Sequence, residues 1–144
     1  MAHEFEVSAW IPASPEEIYT AWLDSDCHTQ MTGGEAKVSS EVGEEFEAWD
    51  GYIKGRNLEL DYGKHIVQSW RTVEFDDGEP ASFIDIVLTP GAGGTLVRLI
   101  HMNLPADGDQ YEQGWVDNYF EPMKAYFKRK QFEDGTADQF KSSR

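Results

Sequence analysis

Four histidines and a single cysteine are the residues through which this chain could do chemistry. His101 stands in the alternating apolar run 95–104, so its imidazole is expected inside a core strand. A buried imidazole beside a carboxylate can act as a general base. No aspartate or glutamate is tied to His101 by spacing, and no nucleophile motif accompanies it. No catalytic residue is assigned, and the chain is read as non-enzymatic. His3, His28 and His65 are scattered without the spacing of ligands, so neither a metal nor a cofactor is assigned. Cys27 and His28 are adjacent, but two residues do not make a site, and a partly packed thiol is the expected state. Gly91 to Gly94 lacks the lysine and the strand–turn–helix setting of a phosphate loop, and is read as a loose hairpin.

The elements that would position these residues are legible from periodicity. Gln110 to Lys130 places Trp115, Tyr119, Met123 and Tyr126–Phe127 at spacings of three and four, the pattern of a helix with one broad apolar face. About 20 residues at 1.5 Å each give roughly 30 Å, enough to cross a small domain. Pro122 breaks the rule for a helix interior and is expected to kink the helix rather than split it at Glu121. Before it, Glu4 to Trp10 alternates as a half-buried strand. Ser14-Pro15-Glu16-Glu17 is a capping box that starts a helix to about Leu23. Asp24 to Thr32 reads as a short second helix or a turn, broken by Gly33-Gly34. Strands follow at Ala36–Ser40 (weak), Glu45–Trp49, Tyr52–Leu60, Lys64–Phe75, Phe83–Leu88 and Thr95–Leu104. Asp50-Gly51 signals a two-residue turn, and Gly55 a bulge. Segregated strands with short turns imply an antiparallel sheet with one face against the last helix: an α+β fold. Residues 1–130 form one domain, and 131–144 read as a polar tail.

Composition removes whole classes. With 27 acidic and 12 basic residues the net charge is −15, which repels nucleic-acid phosphate and anionic membrane. No apolar run is long enough to span a bilayer. One cysteine excludes an internal disulfide and suits a reducing compartment, and no secretory signal precedes the first strand, so a cytoplasmic setting is expected. A chain of 144 residues buries a little under about 70% of its unfolded surface and holds a real core.

A resemblance then enters on several stretches together: Pro15-Glu16-Glu17-Ile18-Tyr19, Asp50-Gly51-Tyr52-Ile53-Lys54-Gly55, Lys64-His65-Ile66-Val67-Gln68-Ser69-Trp70-Arg71, Gly94-Thr95, Leu104-Pro105, Gly114-Trp115 and Tyr119-Phe120-Glu121. In this order the chain resembles, over roughly residues 5–128, the C-terminal domain of the activator of the ninety-kilodalton heat-shock chaperone's ATPase. That family belongs to the START-like, or SRPBCC, superfamily with its helix-grip fold. The eukaryotic activator also carries an N-terminal domain with much of the chaperone contact, for which these 144 residues hold no room.

The resemblance implies a ligand cavity between sheet and helix. The last strand offers two faces, and the family pattern favours Val97, Leu99, His101 and Asn103 turned inward. Ile66, Gln68, Trp70 and Thr72 would join them, with Phe46, Ala48, Ile53, Ile84, Ile86 and Leu88 as wall. Trp115, Tyr119 and Met123 would form the lid, and Asn57, Gln68, His101 and Asn103 the polar groups. Leu96, Ile100, Met102, Phe83, Val87, Val67 and Val73 would then lie outward as an apolar patch, suggesting a homodimer or a protein partner. The leading expectation is an apolar small molecule in the cavity. The alternative is a chaperone-directed protein–protein module, and the third reading a cyclase-like enzyme using His101.

Overall fold

In a computed structural model, residues 3–105 and 108–130 are described; the segment 131–144, read as a polar tail, lies outside them. Six strands form one wholly antiparallel sheet: β1 (His3–Ile11), β2 (Glu45–Ala48), β3 (Ile53–Asp61), β4 (His65–Thr72), β5 (Ser82–Gly91) and β6 (Gly94–Leu104). Their order across the sheet is β1-β6-β5-β4-β3-β2. Every pair but β1/β6 follows chain order, so turn chemistry accounts for most of the topology. Between β1 and β2 come α1 (Pro15–Leu23) and α2 (Ser25–Thr32). The Ser14/Glu17 capping box is formed, and Gly33 ends α2 at φ 88°. A left-handed end of this kind is where glycine is favoured.

The long helix runs as α3 (Gln110–Trp115), a π turn (Val116–Phe120) and α4 (121–130). The helix is not split at Glu121, because 121–130 continue it without a break. Its irregularity is the π turn directly before Pro122, closed by the Glu121 amide onto the Val116 carbonyl. A proline removes one donor and its ring crowds the carbonyl four residues back. The wider turn falls where that crowding must be relieved. The apolar stripe faces the sheet: Trp115, Tyr119, Phe120, Met123 and Phe127 are all buried.

On the inner face of the sheet, Ile66, Gln68, Trp70, Thr72, Ile84, Ile86, Leu88, Val97, Leu99 and His101 are buried, as alternation requires. Asn103 departs from the expectation. It is exposed, at φ 61°, and donates its amide to the Ala81 carbonyl at 3.4 Å. His3 pairs with Leu104 and Phe5 with His101, so β6 carries one residue more than β1 over this stretch. That bulge turns Asn103 out and brings Leu104 in, and simple alternation fails there.

Five local expectations change as well. The β3 bulge lies at Leu58, between the pairs Asn57/Gln68 and Glu59/Val67, and not at Gly55. Gly55 is required for another reason. A Cβ there would come within 1.9 Å of the Ser69 carbonyl oxygen and 2.6 Å of the Phe46 ring. The segment 36–40 forms only a bridge, Lys37 to Glu47. Asp50-Gly51 sits in a longer turn in which Trp49, Asp50 and Gly51 all have positive φ (53°, 58° and 89°). The hairpin expected to be loose is tight, with Gly91 pairing Gly94 around Ala92-Gly93. The strand expected to reach Phe75 ends at Thr72.

Candidate functional site

The helix–sheet interface holds two kinds of place, one filled and one open. In the filled part, His101 accepts the Trp115 indole N–H on Nδ1 at 3.0 Å. Its proton is therefore on Nε2, which lies 2.8 Å from the Ser82 hydroxyl. Ser82 in turn donates to the Trp70 carbonyl at 2.6 Å. Trp70 stands edge-on to the imidazole, with centroids 4.6 Å apart. Both ring nitrogens are held by neutral partners, and a ring fixed in this way is a structural link between β6, β5 and the long helix.

A second chain of amides continues the filled part. Trp22 donates to Gln68 Oε1 at 3.4 Å, and Gln68 Nε2 donates to Asn57 Oδ1 at 2.8 Å. Asn57 Nδ2 donates to the Ser39 and Glu41 carbonyls at 2.8 and 3.0 Å. These amides tie the irregular segment 39–41 to the sheet and to α1. His28 forms a third link. Its Nδ1 donates to the Trp22 carbonyl at 2.8 Å, so Nε2 accepts from the Tyr119 hydroxyl at 3.2 Å. Burial holds the His28 pKa below its ordinary value and pushes the Tyr119 phenol up.

Beyond Trp115 the interface opens into a cavity of about 500 Å³. Its floor is Ile53 and Trp70 of the sheet, and its roof is Tyr111, Gly114, Trp115 and Tyr119 of the helix. Trp49 and Tyr52, from the left-handed turn, form one wall. Glu74, Gln110 and Asn118 stand at its exposed rim. Tyr52 and Tyr111 both donate to Glu74 Oε2, Tyr111 at 3.4 Å. Thr72 Oγ1 lies 2.7 Å from the Tyr111 hydroxyl and accepts the Glu74 amide at 3.1 Å. Burial first, and the Glu74 hydrogen bond second, push the Tyr52 phenol up. Burial pushes Tyr111 up too, so both phenols remain donors at neutral pH. Six aromatic side chains and one carboxylate therefore frame a space large enough for a small organic molecule.

Of the residues expected in the cavity, Ile53, Trp70, Trp115 and Tyr119 line it. Phe46, Asn57, Gln68, Ile86, Leu99, His101 and Met123 are buried but belong to the filled core, and Asn103 is outside. Trp49, Tyr52, Glu74 and Tyr111 were not anticipated. Tyr111 sits four residues before Trp115 on the same stripe. Glu74 continues the alternate row Gln68, Trp70, Thr72. Trp49 and Tyr52 flank the Asp50-Gly51 turn signal, and reading that turn as two residues long hid them. Cys27 is half-buried, and desolvation first, then Asp24, raise its thiol pKa, which keeps it protonated. Among the described residues, no three His, Cys, Asp or Glu side chains gather closely enough to hold a metal ion. No helix among them is long and apolar enough to cross a membrane.

The sequence pattern of the family described as "Activator of Hsp90 ATPase homolog 1-like protein" matches residues 12–128. The chain belongs to this family. It is 30% identical over 115 residues to the human Activator of 90 kDa heat shock protein ATPase homolog 1, covering 79% of this chain and 34% of that protein. The Dictyostelium discoideum homologue is 26% identical over 115 residues, covering 79% of this chain and 30% of that protein. The chain thus spans about a third of the length of the curated relatives it matches. Among solved structures, an Hsp90 activator from Plasmodium falciparum superposes with a TM-score of 0.78 at 23% identity, over 85% of this chain and 94% of that one. A Mesorhizobium loti protein gives 0.75 at 20% identity, over 88% and 98%. The Aha1 dimer from Colwellia psychrerythraea gives 0.64 at 19%, over 77% and 84%. These likenesses show the helix-grip fold, an antiparallel sheet closed by a long C-terminal helix.

Proposed function

We propose that this family member is a binding domain that takes a small molecule with an apolar body in the cavity under its long helix. The observation that carries this reading is the space of about 500 Å³ walled by Trp49, Tyr52, Trp70, Tyr111, Trp115 and Tyr119. Gly114 gives a way to close it. A Cβ there meets only Asn118 Nδ2, at 3.8 Å, so a side chain can enter without moving the backbone. Native mass spectrometry of the protein purified from its own host should show a bound small molecule, and Gly114→Leu should lose it while unfolding at the same temperature or higher. The same mass in both proteins, or none in the first, overturns the reading.

A second reading is a protein module that works with the ninety-kilodalton chaperone. Its support is family membership and the curated relatives' own description as activators of that chaperone's ATPase. The outer sheet face supplies apolar surface for a partner or a second copy: Trp10, Phe83 and Leu96 are 44%, 37% and 36% exposed. Chaperone ATPase rate with excess protein tests it, and an unchanged rate counts against it.

A further inference from the structure

The cavity has a polar end of one chemical kind, and the geometry points to a ligand that carries a cationic nitrogen on its apolar body. This inference rests on the reading of the cavity as a ligand site. An aromatic ring presents a negative face, and a cation held over several such faces, away from water, is attracted more strongly than a neutral group of the same shape. Here Trp70 lies 5.6 Å from Trp115 and 5.0 Å from Tyr111, centroid to centroid, and Trp115 lies 4.8 Å from Tyr119. Trp49 and Tyr52 close the remaining side.

A box of rings alone would take any flat apolar molecule. Glu74 makes the distinction. It stands at the rim, and both phenols donate to its Oε2. Oε1 receives no hydrogen bond among the described residues, and no Lys, Arg or His among them lies within ion-pair distance of Glu74. The site therefore holds, at its exposed rim, a carboxylate without a cationic partner among the described residues, oriented by two phenols that stay protonated. An anionic ligand would be repelled there and a neutral one would leave the charge unmatched. An ammonium group would meet the carboxylate on one side and the aromatic wall on the other.

The turn that supplies Trp49 supports a built site. Trp49 has φ 53°, a conformation that a bulky side chain adopts only when the surroundings hold it. What holds it is Gly34: a Cβ there would fall 2.4 Å from the Trp49 ring, so the indole lies flat on bare backbone. The chain thus keeps a strained tryptophan at the mouth of the cavity, where a straighter turn would point it away.

The test uses three probes of one shape on the full chain: phenylpropylamine, phenylpropanol and phenylpropionate, followed through the tryptophan indole N–H signals. The amine is expected to bind about tenfold more tightly than the alcohol, the scale of one charge-assisted hydrogen bond to the Glu74 carboxylate, and the acid not at all. Glu74→Gln should bring amine and alcohol within about twofold of each other. Glu59→Gln removes the same charge from the outer face, where Glu59 pairs across from Val67, and should leave the preference intact. The general attraction of a −15 chain for cations is thereby separated from the site. Equal binding of amine and alcohol, or equal loss in both variants, overturns the cationic class and leaves an apolar cavity standing. Failure of all three probes to bind overturns the ligand site with it.

Discussion

Around His101 and around Glu74 the same helix covers the same sheet with the same kinds of residue, aromatic rings beside hydrogen-bonding groups. Around His101 every ring nitrogen and amide named above is taken up inside the protein, through Trp115, Ser82, Gln68, Asn57 and Ser39. Around Glu74 the two phenols converge on one carboxylate oxygen, and about 500 Å³ is left beside them. A polar side chain on an inner face therefore marks a ligand site only when its partners do not already account for it. Buried polar groups are normally satisfied, and the sealed region obeys that rule. The open region lies outside that rule, because Glu74 is exposed at the rim and no cation among the described residues pairs with it.

The sharpest way to break this contrast is Asn57→Ala. It would leave the buried Gln68 amide without its acceptor and the part-buried carbonyls of residues 39 and 41 without a donor. Each unsatisfied group costs about 1–3 kcal/mol, so a loss of roughly 3 kcal/mol in urea unfolding is expected. A loss under about 1 kcal/mol would mean the amide chain is not what seals that end.

His28 gives a smaller effect with a definite sign. Burial lowers its pKa in the folded protein, so the unfolded chain binds the proton first as pH falls. Its contribution is fully present above about pH 6.5, the unfolded value, and is lost as pH drops toward the lower folded value. Between those values stability should fall by at most about 1.4 kcal/mol per pH unit, the limiting slope for one proton. His28→Asn should flatten that slope between pH 6.5 and 5 in thermal unfolding, and an unchanged slope would assign the acid sensitivity elsewhere.

The mildest change sharpens the other side. Gly114→Ala adds one methyl under the roof of the cavity, where nothing but Asn118 is near. Exchanging a helical glycine for alanine gains up to about 1 kcal/mol, so unfolding should move slightly upward while ligand still enters. A downward shift would show that Gly114 is there for the backbone rather than for the space.

Much of the architecture was legible because it follows from local rules. The capping box, the alternation of β4, β5 and β6, and the helical stripe each depend on residues a few positions apart. The candidate site was legible only in part. Ile53 and Trp70 followed from strand alternation once the resemblance chose the inward face, and Trp115 and Tyr119 from helical spacing. Asn103 was misplaced because a bulge in β6 is fixed by pairing with β1, some hundred residues earlier in the chain. Trp49 and Tyr52 were missed because three successive left-handed residues leave no signature beyond Asp50-Gly51. Asn57, Gln68 and His101 were placed inside correctly and given a ligand's role. Their partners, in a loop, in α1 and on the long helix, are invisible to spacing.

The π turn ahead of Pro122 sets the phase of everything after it. Trp115, Tyr119, Met123 and Phe127 are four residues apart and all buried, yet in a uniform α-helix each such step overshoots by about 40°, so the last would lie about 120° round the cylinder from the first. One residue accommodated without its share of rotation gives back about 100° and realigns the row. Taking one residue out of 116–120 would leave a smoother rod with Met123 and Phe127 still in phase, whereas taking one out at 121 or 122, or winding the same length as plain α-helix, would swing both by about 100°. Length changes outside the π turn should therefore be harder to accept than changes of side chain.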